Sequence, residues 1–289
     1  MSNWSQLIDR STEELTQAGF IEARTNAEYL ALHTIGLWEK AHLKAYLGKE
    51  VEPKEEELFR SYINRRLSHE PLQYIIGETE FYGLRLYCSP AALIPRPETE
   101  ILVEETIKEI APRVIKNENI RVLDIGTGSG AIILAIASMF PACECIGIDI
   151  SREALILAER NRDRLGIKNV AFHCSDFMKM KFETESRFDI VVSNPPYVPV
   201  EELSEIADEV RLFEPFQALT DSADGFTFYE KIAESAAMLL SEGGVVLVET
   251  EYKGAATVKD IFTTKGLTVS RVVKDLLGHD RVVVASVNS

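Results

Sequence analysis

From residue 121 onward, short runs rich in β-branched residues (VLDI, CIGIDI, VAFHC, FDIVVS, VVLVET) alternate with amphipathic stretches long enough to carry a chain back across a sheet. Parallel neighbours need a crossover of about a dozen residues, whereas antiparallel neighbours can be joined by a tight turn. The alternation therefore predicts an α/β fold with a parallel, doubly wound sheet. The last two runs, GLTVSRVV and DRVVVASV, are separated by a link too short for a crossover helix, and predict an antiparallel pair at a sheet edge.

The first part of the chain has a different period. Trp4, Leu7, Ile8, Leu15 and Ala18 recur at three- to four-residue spacing and Gly19 follows them, the pattern of an amphipathic helix and its stop. Gly36 and Gly48 close two further helical stretches. Pro53 then opens a helix whose apolar stripe is Leu58, Phe59, Tyr62, Ile63 and Leu67, ended by Pro71. Residues 1–73 thus form a small all-helical domain. Residues 74–97 mix β-formers with Gly and three prolines and read as a hairpin linker, and residues 98–289 form the α/β domain.

A length of 289 residues suits two domains. The formal charge is -15, from 46 acidic and 31 basic residues, which repels a phosphate backbone, so nucleic acid is not an expected partner. The NRRL run at 64–67 reads as a solvated helix face. The N-terminus lacks a basic stretch followed by an apolar one, and no run approaches the roughly 18 apolar residues of a membrane span, which predicts a cytoplasmic address and no membrane partner. Cys88, Cys143, Cys145 and Cys174 form no C-x-x-C pair and have no His companions at ligand spacing, so they read as reduced core thiols and no metal is expected. None of the five histidines has a required role, and His173 is placed on a buried strand.

The segment RVLDIGTGSGAIILAIA (121–137) sets Gly126, Thr127, Gly128, Ser129 and Gly130 between a strand and a helix. Missing side chains there let a ligand approach the backbone and the helix N-terminus, a geometry suited to a nucleotide. Gly126, Gly128 and Ala131 also satisfy the dinucleotide fingerprint, so a dehydrogenase stays open on this motif alone. The next strand ends in Asp149, which is placed to accept both hydroxyl protons of a ribose, while Ser151 serves as the following helix cap. After the third strand, Asp176 can accept from an exocyclic amine and Phe177 can stack on an adenine ring, although a loop Asp and a core Phe also occur without such roles.

The strand FDIVVS ends in SNPPYVP (193–199). Proline cannot donate to a ladder and fixes φ, so Pro195 and Pro196 stop the strand and stiffen the loop after it. In an open α/β sheet the carboxyl ends of the strands border the ligand crevice, which places Asn194 and Tyr197 beside the glycine loop. A dehydrogenase has no comparable use for them.

A D-x-G-x-G-x-G loop followed by N-P-P-Y resembles class I S-adenosylmethionine-dependent methyltransferases that act on planar nitrogens. The ordered segments PLQYIIGETEFYG, LIPRPETEILVE, VLDIGTGSGAI, SNPPYV and EPFQAL narrow the likeness to the HemK/PrmC glutamine N5-methyltransferases and span nearly the whole chain. The chain departs from the pattern at Phe216, where Arg is common, and at Glu249, Thr250 and Glu251, where E-I-G is frequent.

The resemblance implies a Rossmann-like seven-stranded sheet behind the helical domain, with S-adenosyl-L-methionine as methyl donor and S-adenosyl-L-homocysteine as product. It implies class I peptide chain release factors as protein substrates, modified at the glutamine of their Gly-Gly-Gln loop. In this setting the Asn194 side-chain oxygen and the Pro195 carbonyl are expected to accept the two amide hydrogens of that glutamine, and Asn194 is also expected to border the cofactor. Tyr197 is expected to pack against the amide, with Pro196 holding the loop rigid. Orienting the nitrogen is the main catalytic device, and no general base is assigned. A ribosomal-protein glutamine or an adenine amine are the alternative targets, and a catalytically silent binding scaffold is the non-enzyme alternative.

Overall fold

The computed structural model describes residues 2–116, 119–181 and 187–287, and these divide into two compact units, Met1–Gly77 with Asp208–Phe213, and Glu78–Ala207 with Glu214–Ser289.

In the first unit, helices α1 (Trp4–Gln17), α2 (Ala23–Thr34), α3 (Lys40–Leu43), α4 (Pro53–Leu67) and α5 (Leu72–Ile76) surround one apolar core. Asn3 and Gln6 form a reciprocal capping box that satisfies two otherwise orphaned N–H groups at the start of α1. The stripe Trp4, Leu7, Ile8 and Leu15 is buried, and Trp4 meets Phe59 of α4 edge to face at 5.7 Å. Each such side chain contributes about 1.5–3 kcal/mol through burial. The α4 stripe is narrower than its spacing predicts: Phe59 and Ile63 are buried, but Leu58 is exposed. Pro71 ends no structure; it stands at the N-cap of α5, so the stretch read as hairpin from residue 74 opens with a helical turn and becomes strand only after Gly77.

In the second unit the hairpin β1 (Glu78–Phe81) and β2 (Leu84–Tyr87) buries Phe81 and Leu86 in the same core as Leu102 and Val122. There follow α6 (Glu100–Ile115), β3 (Arg121–Ile125), α7 (Ala131–Met139), β4 (Glu144–Asp149), α8 (Arg152–Leu165), β5 (Val170–Cys174) and β6 (Phe188–Ser193). After α9 (Asp208–Phe213), which belongs to the first unit, come α10 (Phe216–Leu219), α11 (Thr227–Leu239), β7 (Leu240–Glu249), α12 (Ala255–Thr264), β8 (Leu267–Lys274) and β9 (Asp280–Val287).

The main sheet has seven strands in the order β5-β4-β3-β6-β7-β9-β8; β5 through β7 are parallel, and β9 runs antiparallel to both β7 and β8. Alternate residues divide between its faces, as strand geometry requires. Val122, Ile190, Val192, Leu247, Val282 and Val284 pack with residues of α6 and α7, whereas Leu123, Val191, Val246, Val248 and Val283 pack with residues of α11 and α12. Strand order reverses between β3 and β6, which opens a crevice at their carboxyl ends.

Two expectations need correction. Among the described residues β5 is an edge strand with a neighbour on one side only, and His173 and Cys174 near its end are exposed, not buried. The other three cysteines are buried thiols, and burial pushes Cys88 up to about 12 and Cys143 up to about 11, which keeps them protonated.

Candidate active site

A cleft with a cavity volume of about 140 Å³ lies at the carboxyl ends of β3, β4 and β6, and its walls include Arg96, Gly126, Asp149, Phe177, Asn194 and Phe228. The glycine loop forms one wall. Gly126 has φ +72°, and a Cβ built there meets no atom within 4 Å, so a side chain would project into open cleft instead of packing. Gly130 works the other way: it is absent from the lining, and its Cβ would come within 3.0 Å of Leu134 and 3.3 Å of Phe172. Sequence pattern groups the two glycines, but only the first leaves room for a ligand.

The loop is closed by its own strand ends. Gly126 and Thr127 donate backbone N–H groups to the Ile148 carbonyl, each at 2.9 Å. Thr127 and Ser129 are buried and line the cleft, and the Thr127 hydroxyl donates to Asp124 Oδ2 at 2.6 Å. Asp149 takes the Gly128 N–H on Oδ2 and the Ser151 N–H on Oδ1, both at 2.8 Å, which leaves each oxygen a further lone pair for a hydroxyl. Burial raises the Asp149 pKa, and these two N–H groups act in the opposite direction. Ser151 caps α8 by accepting from the Ala154 N–H at 3.1 Å, which leaves Asp149 free of that duty.

Asp124 is fully buried at the end of β3, and its Oδ1 has no hydrogen-bond partner among the described residues. Burial, with the Asp149 charge in the same direction, pushes its carboxyl up to about 7. Phe177 is buried and reaches the lining. Asp176 also lines the cleft, where it accepts from the Met178 N–H at 3.1 Å and pairs with exposed Lys179 at 2.8 Å; the Lys179 hydrogen bond lowers its pKa.

The opposite wall comes from residues 193–199. Asn194 and Pro196 line the cleft; Pro195 and Tyr197 are absent from the lining. Pro195 is buried, and Tyr197 is half-buried against the core face that carries α11 and α12. Burial, with nearby Glu249 in the same direction, raises the Tyr197 phenol above its ordinary range. The Asn194 amide donates through Nδ2 to the Thr99 hydroxyl at 3.2 Å.

Several residues behind this wall have no local sequence signature. Val198 and Val200 donate to the carbonyls of Leu219 and Ala223 at 2.9 and 3.0 Å. Gly225 has φ +85°, and a Cβ there would lie 2.3 Å from the Tyr197 carbonyl oxygen, so only glycine lets the two segments touch. Asp221 holds that turn by accepting from the N–H groups of Ala223, Gly225 and Thr227 at 2.8, 3.1 and 3.0 Å. Buried Glu214 accepts from the Ile94 N–H at 3.1 Å and pairs with Arg96, which fastens IPRPETE to EPFQAL. For the turn the local pattern is D-x-x-D-G at 221–225, with nothing in it to name its partner, whereas Arg96 and Glu214 lie in the segments LIPRPETEILVE and EPFQAL that carry the resemblance.

These residues fit a nucleoside-linked sulfonium. The cradle has no side chain at Gly126, offers a carboxylate with spare lone pairs to vicinal hydroxyls, and provides an aromatic ring and a second carboxylate beyond them. Fold and cleft together define the class: an S-adenosylmethionine-dependent methyltransferase.

Comparison with known proteins agrees. The family model for a methyltransferase domain matches residues 116–277, and that for the PrmC N-terminal domain matches residues 6–77. A solved methyltransferase from Pyrococcus furiosus shares the fold, with a TM-score of 0.50 at 21% identity over 70% of this chain and 88% of its own. A release factor glutamine methyltransferase of Geobacter sulfurreducens is 37% identical over 96% of this chain and 94% of its own, and one of Bacillus subtilis is 36% identical over 95% and 94%. The chain belongs to the release factor glutamine methyltransferase family.

Proposed function

We propose that this enzyme methylates the side-chain amide nitrogen of the glutamine in the Gly-Gly-Gln loop of class I peptide chain release factors. The observation that carries this reading is the Asn194 amide: its Nδ2 is engaged by Thr99, so Oδ1 is the end left to accept an N–H from a substrate in the cleft. A primary amide nitrogen is a weak nucleophile because its lone pair is delocalised into the carbonyl. Accepting both of its hydrogens, one on Asn194 Oδ1 and one on the Pro195 carbonyl, fixes which way that lone pair points.

When bound, the cofactor supplies an electrophilic methyl group on a sulfonium. The amide nitrogen forms the new C–N bond as the S–C bond breaks, and one amide proton is then released to water. No residue is needed to remove that proton beforehand, because alignment alone is worth on the order of 7–11 kcal/mol of barrier. Tyr197 supports the loop from behind, and Arg96, held by Glu214, borders the same cleft.

The helical unit, matched by its own family model, is read as the part that recognises the protein around the target loop. No helix among the described residues is long and apolar enough to cross a membrane. We read the protein as a cytoplasmic enzyme, and its charge of -15 disfavours a direct nucleic-acid partner.

The test is transfer of labelled methyl from S-adenosylmethionine to a purified release factor, to the same factor with its loop glutamine changed to alanine, and to adenine-containing nucleic acid. Label only on the native factor supports the assignment. Label on the nucleic acid, or on the Gln→Ala factor, overturns it.

A further inference from the structure

The turn between β8 and β9 is rigid, and its tip is apolar. Asp275 Oδ1 accepts the N–H groups of Leu277 and His279, each at 2.9 Å, and Oδ2 takes the Arg281 guanidinium at 2.9 Å. The Asp275 N–H donates to the His279 carbonyl at 2.8 Å and the Gly278 N–H to the Asp275 carbonyl at 3.0 Å, with Gly278 at φ +86°. Asp and Gly are the usual builders of a turn, and here they are sufficient. The leucine side chains hold nothing together: Leu276 is fully exposed and Leu277 is 81% exposed. A single apolar side chain on a surface needs no explanation, but two adjacent ones at the tip of a fixed turn do.

Strand register puts this tip on the cleft side of the sheet. Ser193, Val248 and Val283 stand in one row across β6, β7 and β9. Asn194 follows Ser193 where β6 ends, and because β9 is antiparallel, the turn precedes Val283 at that same edge. Two strand spacings, about 10 Å, separate β9 from β6. Tyr252, just past the end of β7, lies against His279 with ring centroids 5.0 Å apart and is itself exposed, so the apolar surface extends from the turn back toward β7. Ile115 and Met139 are also exposed, but they end helices that lead into β3 and β4 at the opposite edge.

We propose that the β8–β9 turn is a docking point for the protein substrate, with Leu276 and Leu277 seated on apolar surface that flanks the target loop. The inference rests on the protein-substrate reading above and goes beyond it by giving the methyltransferase unit a contact surface of its own outside the cleft. A protein docked over the edge of the sheet covers about 800 Å², a patch roughly 30 Å across, so a turn about 10 Å to one side of Asn194 falls inside its footprint. The turn is already ordered, which lowers the cost of binding. Its chemistry suits a protein: the tip carries leucines where a phosphate backbone would call for Lys or Arg, on a chain of net charge -15.

The experiment compares wild type with Leu276→Ser/Leu277→Ser, Leu276→Met/Leu277→Met and, as a control at the opposite edge, Ile115→Ser/Met139→Ser. Each is assayed for methylation of a release factor over a concentration series at saturating cofactor, with cofactor Kd and thermal melting recorded. The serine pair at the turn should raise KM for the release factor by about 10- to 100-fold, the range expected for truncating a contact inside an interface. Its kcat at saturation and cofactor Kd should stay within about threefold of wild type, since neither reacting group is touched. Melting should be near wild type, because both side chains are exposed in the fold. The methionine pair, apolar and of similar volume, should keep most of the wild-type KM, and so should the control pair.

An unchanged KM in the serine pair at the turn overturns the docking point and leaves the glutamine assignment standing. A rise in KM that the control pair matches, or that comes with an equal loss of cofactor affinity or with unfolding, also overturns it. If the wild type leaves the release factor unlabelled at every concentration, it is the functional reading that falls.

Discussion

The two walls of the cleft are built by opposite means. The glycine loop is held by groups within about 30 residues of itself: the carbonyl at the end of the next strand, the carboxylate of Asp149 one residue beyond it, and Asp124 just before the loop. The Asn-Pro-Pro-Tyr loop is held from afar, by Thr99 nearly a hundred residues earlier and by Leu219, Ala223 and Gly225 after a long excursion of the chain. The first wall binds mainly through what it lacks, a side chain at Gly126. The second acts through what it fixes, one carboxamide. Changes on the first should therefore alter cofactor affinity, and changes on the second should alter turnover at saturating cofactor.

Asn194→Ala tests this division most severely. Removing the orienting acceptor should reduce kcat by about 1,000-fold, since orientation carries most of the barrier reduction. Cofactor Kd should move by less than about threefold. Single-turnover methylation and calorimetric titration separate the two quantities; a Kd loss as large as the kcat loss would show that the walls are not independent.

Gly225→Ala touches neither ligand and should still lower kcat by about 100-fold. A methyl group at φ +85° and 2.3 Å from the Tyr197 carbonyl must displace one of the two segments, and a shift of about 1 Å at a reacting centre costs about that much. Cofactor Kd should be near wild type. Equal activity of this variant would mean that residues 221–227 give way instead of residues 194–198.

Asp149→Asn should show the converse behaviour, with cofactor Kd raised about 10- to 100-fold, the worth of one or two hydrogen bonds to a charged acceptor, and kcat at saturation close to wild type. A kcat loss exceeding the Kd change would blur the distinction between the walls.

This contrast also accounts for what was legible in the sequence. The parallel run of strands and the antiparallel edge pair follow from crossover lengths, and the glycine loop with Asp149 follows from a local motif whose partners lie on adjacent strands. Asn194 and the two prolines announce themselves by composition. Gly225 does not, and Thr99 and Glu214 show only as letters of the resemblance segments, because their work depends on tertiary neighbours: a Thr before a helix looks the same with or without a carboxamide behind it. Tyr197 was legible as a residue of interest, yet its place behind the lining was not, since alternation along a strand stops at Pro195. The misplaced His173 and Cys174 share one cause: a strand-like run does not show whether its strand has neighbours on both sides.

The smallest expected effect is thermodynamic and concerns the buried carboxylate behind the glycine wall. Burial holds Asp124 up to about 7, above its ordinary value of 3.8, so between those limits the folded state keeps a proton that the unfolded state has released. Its contribution is fully present below about pH 4, is lost progressively as pH rises to about 7, and is flat beyond. Absolute melting temperatures will not isolate this, because carboxylates with depressed pKa values, such as Asp275 at about 2, change stability with the opposite sign at lower pH. The difference between Asp124→Asn and wild type does isolate it, since Asn carries no titrating proton. That difference in Tm, measured without cofactor, should shift in favour of the variant by a few degrees between pH 5 and pH 8, with roughly 2–4 °C per kcal/mol expected for a chain of this size. A difference independent of pH would mean that Asp124 is ionised throughout this range. The unpartnered Oδ1 would then need a counter-charge or water, and the glycine wall could no longer be described as held by its own strand ends alone.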